Sequence, residues 1–178
     1  MKIRITLGAT LLLVGACMPV RVVDYQKSSN IDLKQFKTYS YHAIEEPETK
    51  GAHFSENMEI LIHSIDSEMS RLGYTKMESD GDLLLNIGIS VDEKIQTRET
   101  NFREDGMRYM GQRNYHWESQ EVEVNRYKEG TIAIDFVDAK NKQLVWQGTV
   151  AGTVTDNRKK IEQRINTAIA NLFKKFPQ

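Results

Sequence analysis

The apolar positions of this 178-residue chain change period along its length, and each change predicts an element. From Ile5 to Val14 the run is predominantly apolar, preceded by Lys2 and Arg4 and closed by the small residues Gly15 and Ala16. Between Leu33 and Ile44 the β-rich residues Phe36, Thr38, Tyr39 and Tyr41 predict a strand, broken by Glu45-Glu46-Pro47-Glu48. Spacings of three and four then set in. Met58, Leu61, Ile62, Ile65, Met69 and Leu72 line one face of a helix, with Ser55 as N-cap and Gly73 just past its end. After the Asp80-Gly81 turn, Leu83, Leu85, Ile87, Ile89 and Val91 alternate with mostly polar or small neighbours, as in a strand with one buried face.

That alternation fades from Glu93 to Thr100 into the polar stretch Asn101 to Gln120, then resumes at Val122 and Val124, with Gly130 read as a bulge. Thr131 to Val137 and Leu144 to Val150 flank a polar turn and predict an antiparallel hairpin. Ile132, Ile134 and Phe136 share a face, with Leu144, Trp146 and Val150 as counterparts across the turn. Ile161, Ile165, Ala168, Ile169, Leu172 and Phe176 form the stripe of a last helix, with Asp156 near its start and Pro177 at its end. Lys174 and Lys175 suit the negative end of its dipole. The order is strand, helix, three strands, helix. It predicts an α+β fold: one antiparallel sheet of about four strands, with both helices on one face and the other face open to solvent or a partner.

The first apolar run has the layout of a secretory signal peptide. A membrane-spanning helix needs about 20 apolar residues, and Pro19, Arg21 and Asp24 follow too soon for that. Val14-Gly15-Ala16-Cys17 resembles the lipobox of bacterial lipoproteins, with valine where leucine is commonest. The resemblance implies cleavage between Ala16 and Cys17, a diacylglycerol thioether on Cys17, and usually an acylated amine. Each buried methylene contributes about 0.8 kcal/mol, so two or more chains anchor stably. By analogy with enteric sorting, Met18, which is not aspartate, favours the outer membrane. The organisation expected is a signal peptide over 1–16, a lipidated tether over 17–30 and a single domain over 31–178, with a variable polar segment near 101–120.

Composition narrows the partners. The net charge is -1, and removing Lys2 and Arg4 with the signal leaves 22 basic against 25 acidic side chains. No basic excess is available to attract nucleic acid. A single cysteine excludes an internal disulfide and a cysteine-rich zinc site.

Several short motifs together resemble the bacterial lipoproteins grouped as domain of unknown function 4136. They are Val23-Asp24-Tyr25, Phe36-Lys37-Thr38-Tyr39, Gly73-Tyr74, Asp82-Leu83-Leu84, Gly130-Thr131, Val137-Asp138-Ala139, Leu144-Val145-Trp146-Gln147-Gly148 and Phe176-Pro177. They cover nearly the whole mature chain, apart from Asn101 to Gln120. The resemblance implies an envelope lipoprotein with a compact α+β domain, and it carries over no functional residue except Cys17.

Chemistry is sparse. No catalytic set, cofactor motif or metal site is expected. His63 has Ser67 at the spacing where a helical zinc pair needs a second ligand. His42 and His53 merely flank the acidic loop, and Gly88-Ile89-Ser90 lacks the second glycine and the turn of a nucleophile elbow. Arg103, Arg108, Tyr109, Arg113, Tyr115 and Trp117 have the composition of a recognition surface, though neighbouring carboxylates neutralise its field. The first functional expectation is a non-catalytic, lipid-anchored envelope module facing the periplasm, in contact with another envelope protein. Alternatives are a carrier or sensor of a hydrophobic small molecule or lipid, held between sheet and helices, and a hydrolase using His42, His53 or His116.

Overall fold

The computed structural model describes residues 20–29, 31–48, 50–51, 53–105 and 118–177. The strands are β1 (Val20–Lys27), β2 (Thr38–Glu45), β3 (Thr75–Lys76), β4 (Leu83–Glu99), β5 (Glu121–Asp138) and β6 (Leu144–Thr153). Helices are α1 (Phe54–Arg71), the short α2 (Phe102–Asp105) and α3 (Arg158–Phe173). Among the described residues the strands form one sheet in the order β1-β6-β5-β4-β2-β3.

The fold is α+β as expected, but the sheet has six strands and is mixed. β1, β6, β5 and β4 pair antiparallel, whereas β2 runs parallel to both β4 and β3. The reason lies in connectivity: a strand that leads into a covering helix returns to its sheet parallel to itself. α1 is such a crossover. β1 arises within the stretch read as a tether because it is an edge strand, largely exposed, that gains backbone pairing with β6 rather than a buried face. The strand expected from Leu33 begins at Thr38, since Asp32 caps a 3-10 turn over Leu33–Gln35 by accepting from Lys34 N at 3.0 Å.

α1 buries Met58, Leu61, Ile65 and Met69. It starts at Phe54, so Ser55 lies inside its first turn and is not the cap, and it stops at Gly73, whose φ of +88° suits glycine. In α3 the cap is Asn157, one residue beyond Asp156, accepting from Lys160 N at 3.1 Å. Its Ile169, Leu172 and Phe173 meet Phe136, Trp146 and Phe176 in the core. The Phe136 and Trp146 rings pack edge to face at 5.4 Å, and Phe176 lies 5.1 Å from each. Gly148 lies under the indole, where a Cβ would also come 2.7 Å from Leu172 Cδ1.

The β5–β6 hairpin pairs Ile132 with Val150 and Phe136 with Trp146. Leu144 is 42% exposed rather than inward, because the register slips beside Val137 and brings Val145 into the core in its place. Gly130 is in register with Val91 and Gly152 and makes no bulge; in the β4–β5 ladder the irregularity falls at Gln96 and Thr97. Both strands run on without interruption to the Glu99–Glu121 pair, where side-chain alternation alone had faded. Beyond Val91 this ladder is a two-stranded arm with largely exposed side chains.

Candidate functional site

The polar clusters of the domain brace its elements. Asp66 on α1 accepts from Tyr39 Oη at 2.7 Å, Tyr41 Oη at 2.8 Å and Lys76 Nζ at 2.8 Å. Burial pushes the Asp66 carboxyl up, but the Lys76, Tyr39 and Tyr41 hydrogen bonds outweigh it and hold the group below its ordinary value. Both tyrosines are raised, by burial first and then by Asp66. At the start of β2, next to Tyr39, Lys37 N and Thr38 N donate to Asp82 Oδ2 at 2.8 and 2.9 Å, and Asp82 N donates to Thr38 Oγ1 at 2.9 Å. Asp138 accepts from Lys140 N and Asn141 N at 2.8 and 3.1 Å, closing the β5–β6 turn. None of these groups faces an open pocket alone, and tying helix, strand and turn together accounts for each.

The sequence-derived candidates that fall among the described residues are not brought together. Cys17, Ala16, Arg108, Tyr109, Arg113, Tyr115, Trp117 and His116 lie outside the described residues. Arg103 is exposed on α2 at the tip of the arm, where Arg98 forks onto Asp105 at 2.8 and 2.7 Å. His42 and His63 are exposed on β2 and α1, and His53 lies 3.3 Å from Glu56. Ser90 pairs with Thr131 in mid-strand. Among the described residues no group of three or more His, Cys, Asp or Glu side chains is placed to hold a metal ion, and no helix is long and apolar enough to cross a membrane.

What sequence reading missed is an apolar cleft of about 140 Å³ between the sheet and the starts of α1 and α3. One row across the helix-covered face explains it. Val91 pairs with Gly130, Gly130 with Gly152, and Gly152 with Val20, so two side chains are missing between two valines. Ile89, Ile132 and Val150 close the inner end. Phe54 and Met58 of α1, with Ile161 and Ile165 of α3, form the roof. Arg164, which also lines the cleft, donates to Thr153 O at 2.6 Å. The Gly130-Thr131 motif together with Gly152 was the available signal, since consecutive glycines in register leave a trough that no single strand pattern reveals.

From this cleft an apolar stripe continues along the arm, through Val91, Ile95 and Val124, which are 42, 51 and 48% exposed. A second cavity, of about 330 Å³, lies at the opposite end against Leu33, Phe36, Tyr74 and Phe176, with Lys34, Lys37 and Arg71 around it. On the uncovered face Asn86, Asp135 and Gln147 stand side by side on β4, β5 and β6. Burial raises the Asp135 carboxyl, the Gln147 amide opposes that rise, and Glu45 adds to it.

The profile of Domain of unknown function (DUF4136) matches residues 21–178. The chain belongs to this family. No curated protein matches this DUF4136 chain. Among solved structures, a PDZ domain protein from Parabacteroides distasonis aligns over 90% of the chain at 13% identity, with a TM-score of 0.50. The chain spans 36% of that protein, and the likeness is one of fold. The PelC dodecamer from Paraburkholderia phytofirmans aligns over 84% of this chain and 94% of its own, at 10% identity and a TM-score of 0.46. Lipoprotein GNA1162 from Neisseria meningitidis covers 76% and 96%, at 10% identity and a TM-score of 0.40.

Proposed function

We propose that this DUF4136 protein is a lipid-anchored, non-catalytic binding module of the bacterial cell envelope, held at the outer membrane through Cys17 and facing the periplasm. The observation that carries the reading is the position of β1. The sheet begins at Val20, three residues after Cys17, so a lipid there would hold the domain itself, and not a long leash, against the bilayer. The arm, with its exposed Val91, Ile95 and Val124, is then the surface offered to an envelope protein. Among the described residues the Asp66, Asp82 and Asp138 clusters are committed to bracing, which favours binding over catalysis.

Mass spectrometry of the mature protein from envelopes tests the anchor. A chain starting at Cys17 with a thioether-linked diacylglycerol is expected, and Cys17→Ala is expected to leave the membrane fraction. An unmodified thiol or another start site overturns the anchor. Crosslinking in cells tests the binding role: the intact protein is expected to capture a discrete envelope protein through the arm, and capture of none overturns it.

A further inference from the structure

We propose that one acyl chain carried by Cys17 docks into the cleft between the Gly130–Gly152 trough and the starts of α1 and α3. The inference rests on the lipid-anchor reading above and adds to it where a chain goes. Three observations converge on one occupant. The cleft is lined almost wholly by apolar groups, with Arg164 as its one charged lining residue, as an alkyl chain requires and a polar ligand does not. Its outer wall is Val20, itself 5% exposed, so the cleft opens beside the first residue of the sheet. Cys17 is three residues earlier, which limits its Cα to about 11 Å from that of Val20. A chain attached there is tied close to the opening at a high effective concentration.

The volume also fits. An apolar cavity of about 150 Å³ accepts a molecule the size of benzene, so a cleft of about 140 Å³ takes the first few methylenes of a chain and leaves the rest outside. It is too small for a drug-sized ligand, whose pockets start at about 300 Å³. Two chains suffice for stable anchoring; the first few methylenes of a third can occupy the cleft while the rest of that chain stays among the lipids, so the attachment is not loosened. Docking of that chain fixes the cleft end of the domain toward the membrane.

The test uses the full chain in cells, with a small aliphatic diazirine residue replacing Ile165 at the cleft roof, and in a second strain Thr153 at its rim. After irradiation, digestion and mass spectrometry, the expected product joins the lipopeptide beginning at Cys17 to the peptide carrying the probe. It should be lost when Ile161→Trp plugs the half-buried mouth, and should not form from a probe at Ala133 on the uncovered face. Thermal melting checks that each variant is folded. If Cys17 carries its lipid but the probes at both cleft positions yield only phospholipid adducts or none, the inference is overturned while the anchor stands. If Cys17 carries no lipid, the anchor reading fails and the inference with it.

Discussion

Two aspartates on this domain respond to folding with opposite signs. Asp66 is held below its ordinary value, because three donors converge on it against the opposing pull of burial. A group depressed in the fold contributes stability above its unfolded value, about 3.9, and that contribution is lost as pH falls through the folded value. Asp66→Asn keeps an acceptor for the tyrosines but loses the Lys76 partner; a cost of about 1 kcal/mol at pH 7 is expected, shrinking below pH 4. Asp135 is raised, chiefly by burial, and its Oδ1 and the Oδ1 of Asn86 across the ladder are both buried without a partner among the described residues. Here the penalty is absent below the unfolded value and grows as pH rises to the folded one. Asp135→Asn should stabilise by about 1 kcal/mol at pH 7, since an amide can donate to Asn86, with the gain vanishing near pH 3. Urea titrations at both pH values decide each case. If both variants shift the same way, the opposed environments assigned to these residues are mistaken. A third residue tests packing. Gly148→Ala should cost about 1–3 kcal/mol through overpacking of Trp146 and Leu172, and an unchanged melting temperature would show that the indole moves freely.

At the level of elements, periodicity exposed whatever buries one face. The stripes of α1 and α3 and the alternation of β4 predict the core positions that are found, because burial of every second or every third-and-fourth residue is itself what holds those elements. β1 and the outer half of β4 were invisible for the same reason: backbone pairing holds them, and pairing leaves no hydrophobic period. The parallel β2–β4 contact was legible only in the order strand, helix, strand. The family motifs turn out to be architecture, since Thr38 and Asp82 clasp each other and Gly73 ends α1. They name the fold and not a reaction. Because the arm buries little, its removal should leave the domain intact. Joining Lys94 to Tyr127, which pair directly, through an Asn-Gly turn should change unfolding free energy in urea by less than about 1 kcal/mol while abolishing capture of an envelope partner. A large loss of stability would mean that the arm is part of the core.

For the whole molecule, the lengths impose a geometry. If Cys17 sits in the bilayer as proposed, Val20 lies within about 11 Å of the anchor, and Gly152, Gly130 and Val91 follow at about 4.8 Å per strand across the sheet. Past that row β4 continues through the eight residues Asp92 to Glu99 on the same side as the chain's start, about 27 Å at strand rise. An arm more than twice the length of its tether cannot stand upright between sheet and membrane. On that reading it lies along the surface or leans into the headgroups, with Val91 and Ile95 on one side beside Glu93, Lys128 and Arg126, an amphipathic face suited to the interface. The β5–β6 turn, at the far end of the same strands, is then held away from the bilayer. If Cys17 is lipidated as proposed, the mature chain has no free thiol, so single cysteines introduced at Thr97 or Lys140 can be labelled uniquely. In vesicles carrying a headgroup quencher, a fluorophore at Thr97 should be quenched at least about threefold more than one at Lys140. Equal quenching at the two ends would mean that the domain tumbles on its anchor, and the arm would then have no preferred surface to meet.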